Sequence, residues 1–193
     1  MGLQAMGRRQ EGGKTDIEGR KKLLEGELKK LLLGNSEISL TGQPDWENSE
    51  TPLVAKFKVK VLLAVSAGKR WTVTQHLFQV SETPRFSAGQ RLQPIYFDYP
   101  WHEVDEIHIT LPAGMETESL APDASLRLDY ALYKSQQKQE SPNKIFSRRE
   151  LVMASGGIPA TNYKDVKNFF DSVKTGDDQT ALVNLSQNVA TAK

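Results

Sequence analysis

The sequence predicts a mainly β protein, an antiparallel β-sandwich flanked by an N-terminal helix and a C-terminal helix. Three observations indicate this fold class. In the middle of the chain, apolar residues recur at every second position over several short segments, as in strands with one buried face. Turn residues such as Pro, Gly and Asp separate these segments at short intervals, which is typical of a sandwich. Towards both ends, the apolar residues recur with the 3.6-residue period of a helix.

The first helix is predicted from about Thr15 to Leu33, inside an N-terminal segment that covers residues 1–41. Thr15 followed by Glu18 matches a capping box, and Gly34-Asn35 ends the pattern. The apolar face of this helix consists of Ile17, Leu24, Leu28 and Leu31. On the opposite face Lys and Arg are interleaved with Glu, so a solvated surface is a simpler interpretation than an anion-binding patch.

The sandwich is predicted over residues 42–160, from at least six strand patterns. These patterns are Leu53–Val61, Trp71–Phe78, Gln90–Phe97, Val104–Leu111, Ala124–Tyr133 and Lys144–Met153. The first two are expected to pair as antiparallel neighbours, because a short turn joins them. The first also carries three outward lysines, which commonly prevent edge-to-edge association of strands. That interpretation is favoured over a binding stripe.

A second helix and a last strand are predicted over residues 161–185. Thr161 or Asn162 would cap the helix, and Gly176 would end it. The helix buries an apolar stripe of Tyr163, Val166, Phe169, Phe170 and Val173. The final residues, 186–193, have no periodicity and are expected to form a frayed tail.

Composition excludes several classes of function. The chain has 25 basic and 24 acidic residues and a net charge of +1, so no overall field attracts nucleic acid or an anionic membrane. No window approaches the length of about 18 apolar residues that a membrane span requires, and the N-terminus lacks the apolar segment of a signal peptide. There is no cysteine, so the chain has no thiol nucleophile and no thiolate ligand for a metal.

The segment from Arg91 to Pro112 combines aromatic, acidic and histidine residues, a composition that raises the hypothesis of an active site. Alternation of apolar residues on both sides predicts two strands, joined by the connection Asp98–Glu103. A divalent metal would accept Asp98, His102, Asp105 and His108 as ligand types, but their spacing matches no standard ligand run. The acids Asp98, Glu103, Asp105 and Glu106 could form a carboxylate pair, although acids around a turn are usually only solvated.

Nucleophilic catalysis finds even less support in the sequence. The only histidines are His76, His102 and His108, and no serine lies in a G-x-S-x-G motif. No glycine-rich phosphate loop or EF-hand pattern is present. The sequence therefore predicts no catalytic, cofactor-binding or metal-binding residue, and no enzymatic activity of this chain.

A contact surface is the remaining hypothesis for this segment. Tyr96, Tyr99 and Trp101, with His102 beside them, could form an aromatic ledge for a sugar or a protein. The alternative is that these aromatic residues pack under neighbouring strands. The residue pattern leaves both interpretations open and favours packing.

Several short motifs, taken in order along the chain, resemble the C-terminal region of bacterial transglutaminase-like proteins. The motifs are DWEN at 45–48, PL at 52–53, Arg91 followed by PIYF at 94–97, DEIHITLPAG at 105–114, and Tyr163 followed by Phe169-Phe170. The resemblance extends over nearly the whole chain, from about Gly2 to Leu185. Ala5 to Arg9 would be the last trace of the region that precedes the terminal sandwich.

This resemblance implies a context for the chain. Proteins of this kind have an N-terminal β-sandwich of unknown function, a transglutaminase-like core and a C-terminal β-sandwich, and they act in the periplasm or outside the cell. The core is expected to use a Cys-His-Asp triad, which this chain cannot supply because it lacks cysteine. The implied function is a non-catalytic accessory or interaction domain, with the core of the same parent chain as its partner. The alternative is a free-standing module that binds a glycan or peptide through the Tyr99–Trp101 loop.

Overall fold

A computed structural model describes residues 2–32, 34–79, 83–154 and 156–186 of the chain. The chain divides into two compact units, Met1–Leu62 and Leu63–Lys193. No helix in the described ranges has the length and apolar character needed to cross a membrane. The predicted frayed tail lies outside the described residues, except for Ser186, whose backbone N–H donates to the carbonyl of Gly114 at 2.8 Å.

The first unit contains two helices and a two-stranded antiparallel sheet. These elements are α1 (Leu3–Gly12), α2 (Ile17–Leu31), β1 (Glu37–Gly42) and β2 (Lys56–Lys60). The predicted helix is confirmed as α2, but Asp16 rather than Thr15 caps it, since the Asp16 carboxylate accepts the N–H of Gly19 at 2.8 Å. Helix α1 was not predicted from the sequence, because its apolar residues are too few to form a stripe.

Strand β2 shows that the predicted pairing of the first two strand patterns is wrong. It pairs with β1, with Phe57 opposite Leu40 and Val59 opposite Ile38. β2 therefore lies in the first unit, although its sequence falls within the predicted sandwich range of 42–160. The alternation of lysines and apolar residues predicts a strand and its faces but carries no information about the partner strand.

Gly12 is expected to be indispensable to the packing of the first unit. A Cβ atom at this position would lie 2.3 Å from Cζ3 of the buried Trp46 ring. Gly12→Ala should therefore lower the free energy of unfolding of this unit by about 1–3 kcal/mol, through overpacking. Urea denaturation followed by tryptophan fluorescence measures the change. Gly26→Ala in α2 is the control, because no atom lies within 4 Å of its added methyl group and the substitution favours the helix. Equal losses from both substitutions would contradict this packing.

Over the described residues, the second unit is built from two four-stranded antiparallel sheets, a short strand pair, one α-helix and a short 3-10 helix. The first sheet has the order β6-β10-β9-β8 and the second the order β3-β4-β12-β7, while β5 pairs with β11. The strands are β3 (Ala64–Ala67), β4 (Arg70–Thr74), β5 (Ile95–Tyr96), β6 (Trp101–Thr110), β7 (Met115–Ser119), β8 (Ala124–Leu128), β9 (Ala131–Ser141), β10 (Lys144–Met153), β11 (Gly157–Ile158) and β12 (Thr180–Leu185). The helix α3 spans Tyr163–Asp177. The sheets have the sandwich-like, mainly antiparallel arrangement that the sequence predicts.

Two apolar clusters cover different ends of the inner face of the first sheet. At one end, α3 packs Val166, Phe169 and Phe170 against Leu151 and Met153 of β10. At the other end, the second sheet places Val73, Ala181 and Val183 over Ile145 of the same strand. The inward residues of β10 between these ends, Ser147 and Arg149, are polar and buried. A buried polar layer therefore separates the two apolar clusters.

Several predicted strand boundaries are wrong, and three patterns differ most from the observed strands. The pattern Trp71–Phe78 stops being a strand after Thr74, and only Ile95 and Tyr96 form a strand in the pattern Gln90–Phe97. The pattern Ala124–Tyr133 is a hairpin, β8 and β9, with its turn at Asp129-Tyr130. Alternation of residue types therefore does not by itself determine where backbone pairing begins and ends. The strand Lys144–Met153 and the helix from Tyr163 are confirmed.

Candidate functional site

The buried polar layer of the second unit is centred on Arg149, whose side chain is only 1% exposed. Strand β10 places Arg149 on the inner face because Ile145, Leu151 and Met153 of the same strand all point inward. On the neighbouring strands Asp105 and Ser135 lie directly opposite Arg149. The cross-strand register therefore brings a carboxylate and a hydroxyl to the same depth as the guanidinium.

Asp177 is the principal partner of Arg149. It lies in the last turn of α3 with only 3% of its side chain exposed, and it accepts hydrogen bonds from Arg149 Nε at 2.7 Å and Nη2 at 3.0 Å. This two-pronged geometry is the strongest form of guanidinium–carboxylate pairing. Tyr133 of β9 adds a third bond, donating its hydroxyl to Asp177 Oδ1 at 2.9 Å. These bonds tie α3 to two strands of the first sheet.

Two further carboxylates approach the same guanidinium from β6. Arg149 Nη1 donates to Glu103 Oε2 and to Asp105 Oδ2, at 3.4 Å in both cases. Both bonds are longer than those that Arg149 makes to Asp177. Glu103 remains 46% exposed, and with Arg149 and Asp177 it lines a small cleft of about 20 Å³. A cleft of this volume holds about one water-sized group.

A turn after β4 contributes the remaining residues of the buried polar layer. Residues 75–79 leave the strand and bury Gln75, His76 and Gln79. His76 Nε2 lies 3.0 Å from Ser135 Oγ, and Gln79 Nε2 donates to Asp105 Oδ2 at 3.0 Å. Both amide atoms of Gln75, the carbonyl oxygen of Gln79 and the hydroxyl of Ser147 have no partner among the described residues. Polar atoms buried without a partner are costly, by about 1–3 kcal/mol each.

Burial and neighbouring charge perturb the protonation of this layer. Burial lowers the pKa of His76, while Asp177 and Asp105 act to raise it and Arg149 to lower it. Burial, assisted by Glu103, raises the pKa of Asp105 despite the opposing effect of Arg149. Burial acts against the charge of Arg149, but its bonds to Asp177 prevail and raise its pKa. Arg149 therefore remains a permanent cation, and His76 is held in its neutral form.

Stability is expected to fall on acidification because of His76. Its folded-state pKa lies below the ordinary value of 6.5, so the unfolded chain binds a proton more readily than the folded one. The contribution of His76 is complete above pH 6.5 and is lost as the pH falls from there through the folded-state pKa. Urea denaturation at a series of pH values measures this slope. His76→Gln should reduce the slope, whereas His102→Gln, an exposed control, should preserve it.

Asp105 makes the opposite contribution at lower pH. Its folded-state pKa lies above the ordinary value of 3.8, so its contribution is present below pH 3.8 and is lost as the pH rises through the raised pKa. The two contributions have opposite signs, so a loss of stability as the pH falls below 6.5 belongs to His76 and not to Asp105. A wild-type slope below pH 6.5 that His76→Gln leaves unchanged would show that His76 is not the group responsible.

The four residues that were considered as metal ligands do not come together. Asp98 is exposed before β6, and Asp105 faces inward, whereas His102 and His108 lie on the outer face of β6. His102 Nε2 is 2.9 Å from Glu150, and His108 lies against Phe146 with a ring separation of 4.9 Å. No group of three His, Cys, Asp or Glu residues in the described ranges is arranged to hold a metal ion.

Of the four candidate acids, the structure brings together only Glu103 and Asp105. Glu106 lies on the opposite face of β6, where Arg148 Nε donates to it at 3.2 Å. The prediction that Asp98–Glu103 forms a connection is partly wrong, since β6 already begins at Trp101. Glu103 is therefore a strand residue, and this is why it shares the inner face with Asp105.

The four residues of the proposed contact surface differ in exposure. Tyr96 is 76% exposed, and His102 is also exposed. Tyr99 is half-buried, and Trp101 packs at the edge of the apolar cluster under α3, with its ring centroid 4.9 Å from that of Phe97. The guanidinium of Arg85 covers the Trp101 ring at 5.3 Å. Only Tyr96 of the three aromatic residues presents a largely free ring.

Sequence reasoning missed the centre of this cluster, namely Arg149, Asp177, Tyr133, His76 and Gln79. One signal was present in the strand pattern of β10. Its odd-numbered positions run Ile145, Ser147, Arg149, Leu151 and Met153, so a charged residue interrupts an otherwise apolar face. A charge on a buried face requires a partner, but the partners come from elements distant in sequence.

Comparisons with known proteins give a family and little else. A family model described as "Domain of Unknown Function with solved-structure structure" (DUF3858) matches residues 69–183. A comparison with curated proteins found no match. A crystal structure of a "putative protease" from Parabacteroides distasonis is 14% identical, with a TM-score of 0.45, over 52% of this chain and 20% of that chain. The matched part of this chain spans about one fifth of that protein's length. Because the family model spans more than half of the sequence, the chain belongs to the DUF3858 family.

Proposed function

We propose that this chain is a non-catalytic interaction domain that accompanies a transglutaminase-like core in an exported protein. The observation that carries the proposal is that its buried ionisable groups form hydrogen bonds with one another. Arg149, Asp177 and Tyr133 are bonded to one another in the interior, where they connect α3 to the first sheet. A general base or nucleophile must reach a substrate atom, and these groups are committed to each other instead.

Two properties of the sequence support the same proposal. The motifs between residues 45 and 170 resemble the C-terminal region of transglutaminase-like proteins, and the absence of cysteine leaves the expected triad to another part of such a protein. Stabilisation of the core, or control of access to it, is the role that a terminal sandwich would perform. Periplasmic or extracellular location follows from the same resemblance and is part of the proposal.

Association with a core domain tests this function directly. The transglutaminase-like domain encoded in the same reading frame would be expressed separately and mixed with this chain. Analytical ultracentrifugation should show a complex, and the melting temperature of the core should rise with the concentration of the chain. The chain alone should show no acyl-transfer or peptidase activity. No complex and no shift in melting temperature would contradict the proposal.

A second candidate function, binding of a peptide or glycan, is favoured by one observation. Tyr96 of β5 is 76% exposed, and Leu92, in the segment before β5, is also largely exposed. Large exposed side chains near each other often mark contact sites. This function would use Tyr96 rather than the Tyr99–Trp101 loop, because Trp101 is packed against Phe97.

Two substitutions distinguish an exposed contact residue, Tyr96, from a packed residue, Trp101. Tyr96→Ala should change the free energy of unfolding by no more than about 0.5 kcal/mol, since the ring is mostly exposed. Trp101→Ala should lower it by about 2–4 kcal/mol, because it removes a ring that packs against Phe97 and Arg85. Thermal and urea denaturation measure both values. A large loss for Tyr96→Ala would show that this ring has a structural role.

A further inference from the structure

Strand β6 forms one edge of the first sheet of the second unit. It is the terminal strand in the order β6-β10-β9-β8, and no other described strand pairs with its free edge. All of its 10 residues pair with β10 without a bulge. An edge strand is often protected by proline, lysine or a bulge, since it otherwise offers its backbone groups to another strand. The sequence of β6, WHEVDEIHIT, contains neither proline nor lysine, so these forms of protection are missing.

The register of β6 determines which of its backbone groups point to the free edge. Just beyond the pair Thr110–Lys144, the N–H of Leu111 donates to the carbonyl of Asn143 at 2.8 Å. Because an antiparallel ladder bonds alternate residues, the odd-numbered residues of β6 bond to β10. The even-numbered residues therefore direct their N–H and C=O groups to the free edge, and their side chains are all exposed. These residues are His102, Val104, Glu106, His108 and Thr110.

The charge pattern of β6 is complementary to itself in one antiparallel register. Two copies of the strand that pair around a two-fold axis at Ile107 place Glu106 of each copy opposite His108 of the other. On the same face, Val104 of each copy lies opposite Thr110 of the other. A carboxylate and an imidazole directly opposite each other stabilise a strand pair. This register therefore forms the acid–histidine pair twice, once on each side of the axis.

Other registers bring acids together. An axis at Val104 places Glu103 opposite Asp105 of the other copy. An axis at Asp105 or at Glu106 places that acid opposite itself. Like charges directly opposite each other destabilise a strand pair. Of the axes between residues 104 and 108, only the one at Ile107 opposes an acid to a histidine without opposing two acids.

The inward acids of β6 are compatible with this register. Charged residues that point inward can also protect an edge strand when they lack a counterion. Glu103 and Asp105 point inward, but both already bond to Arg149 of their own chain. With the axis at Ile107, Asp105 lies opposite Ile109 of the other copy and far from the acids of that copy. Pairing therefore requires no new cation at these acids.

We propose that two copies of this chain associate through their β6 strands, which pair in antiparallel orientation around a two-fold axis at Ile107. Residues 104–110 of both copies pair, and the two first sheets form one continuous sheet. The even-numbered residues of each strand exchange backbone hydrogen bonds with the other copy, as in other cases of strand addition at a sheet edge. The inference goes beyond the proposed function, because this association needs the chain alone and no core domain.

Sedimentation velocity of the purified chain measures the association. The weight-average sedimentation coefficient should rise with concentration from the monomer value to the dimer value. Val104→Pro should raise the dimer Kd by about tenfold or more, because proline removes an N–H at the free edge and leaves the bonds to β10 in place. A wild-type chain that stays monomeric at the highest soluble concentration would overturn the proposal and leave this edge to a strand of another protein.

Ser125→Pro on β8 is the matched control at the opposite edge of the same sheet. The N–H of Ala154 donates to the carbonyl of Tyr130 at 2.8 Å, so even-numbered residues of β9 bond to β10 and odd-numbered ones to β8. Ser125 pairs with Lys134, an even-numbered residue, so its N–H also points to a free edge. Ser125→Pro should associate as the wild type does. Equal weakening by both prolines would overturn the proposal, and circular dichroism checks that both variants fold.

Disulfide formation tests the position of the axis, because the chain contains no cysteine. Ile107→Cys places two cysteines opposite each other with Cα atoms about 4.5 Å apart, within the range of a disulfide. This variant should form disulfide-linked dimers in a glutathione redox buffer. Val104→Cys is more exposed but should form few, because the two copies of residue 104 lie about 20 Å apart along the joined strands. Faster linkage through residue 104 than through residue 107 would contradict this register.

An exchange of charges tests the acid–histidine pair. His108→Glu places two acids opposite each other on both sides of the axis, so it should raise the dimer Kd by about tenfold or more. Adding Glu106→His restores an acid opposite a histidine, and the Kd should return to within about threefold of the wild-type value. Equal Kd values for the single and the double variant would overturn the register. None of these outcomes depends on association with a core domain, which is absent from every sample.

Discussion

Replacing Arg149 by methionine is expected to lower the free energy of unfolding of the second unit by about 3–5 kcal/mol. The substitution retains most of the side-chain length but leaves the carboxylate of Asp177, 3% exposed, without its cation. It also leaves Asp105 and the Tyr133 hydroxyl beside an uncompensated charge. Urea denaturation followed by circular dichroism at neutral pH measures the loss.

Arg148 provides a matched control for this prediction. It is the adjacent residue of β10 and also pairs with acids, Glu106 and Glu150, but on the solvated outer face of the sheet. Arg148→Met should therefore change stability little, since exposed ion pairs contribute little. Similar losses for both arginines would show that the inner cluster has no special role.

A double substitution identifies the source of the loss. Arg149→Met combined with Asp177→Leu removes the principal buried charge pair together, so its cost should be less than the sum of the two single substitutions by about 1–3 kcal/mol. Additive losses would indicate that Arg149 and Asp177 stabilise the unit independently. The remaining cost would be due to Glu103 and Asp105, which lose their bonds to Arg149.

Gly176→Ala is expected to lower the free energy of unfolding by about 2–4 kcal/mol. Gly176 lies in the last turn of α3, and a Cβ atom there would lie 2.5 Å from the hydroxyl oxygen of Tyr133 and 3.0 Å from its Cε1. Tyr133 is fully buried, so the ring cannot move into solvent. The hydroxyl would have to leave Asp177, and both the contact and the hydrogen bond would be lost.

Tyr133→Phe tests whether this contact is the cause. The phenylalanine removes the oxygen at 2.5 Å, so the effect of Gly176→Ala should be smaller in the Tyr133→Phe background than in the wild type. Urea denaturation of the four proteins gives the coupling energy. An unchanged effect of Gly176→Ala would place the strain elsewhere in the helix.

Element types were the most predictable part of the fold. Strand β10 and helix α3 were predicted with nearly the observed bounds, because each combines a complete apolar period with clear turn residues at its ends. Helix α1 was missed because it has too few apolar residues to form a stripe, and the short strands β3, β7 and β11 were missed because they have too few residues to show a period. Pairing was not predictable, as β2 demonstrates, since any strand with one apolar face can pair with several others.

The site was predictable only in part. Glu103 and Asp105 were considered as candidate acids, and the structure brings them together at Arg149. His102 and His108 were considered beside them, but the alternation of a strand places both on the opposite face. Gln79 and Asp177 could not have been selected, because they come from a turn and a helix end that are far from β6 in the sequence.

The two adjacent arginines of β10 show where sequence information ends. The sequence determines that Lys144–Met153 is a strand and that Arg148 and Arg149 lie on opposite faces of it, because side chains alternate along a strand. Only the tertiary structure determines which groups contact each face of the strand. Arg148 is in contact with solvent and pairs with acids on the outer face. Arg149 pairs with Asp177, Asp105 and Glu103 in the polar layer between the two apolar clusters. The physical reason is that a buried charge requires counterions at bonding distance, and the packing of α3 and β6 against β10 supplies them.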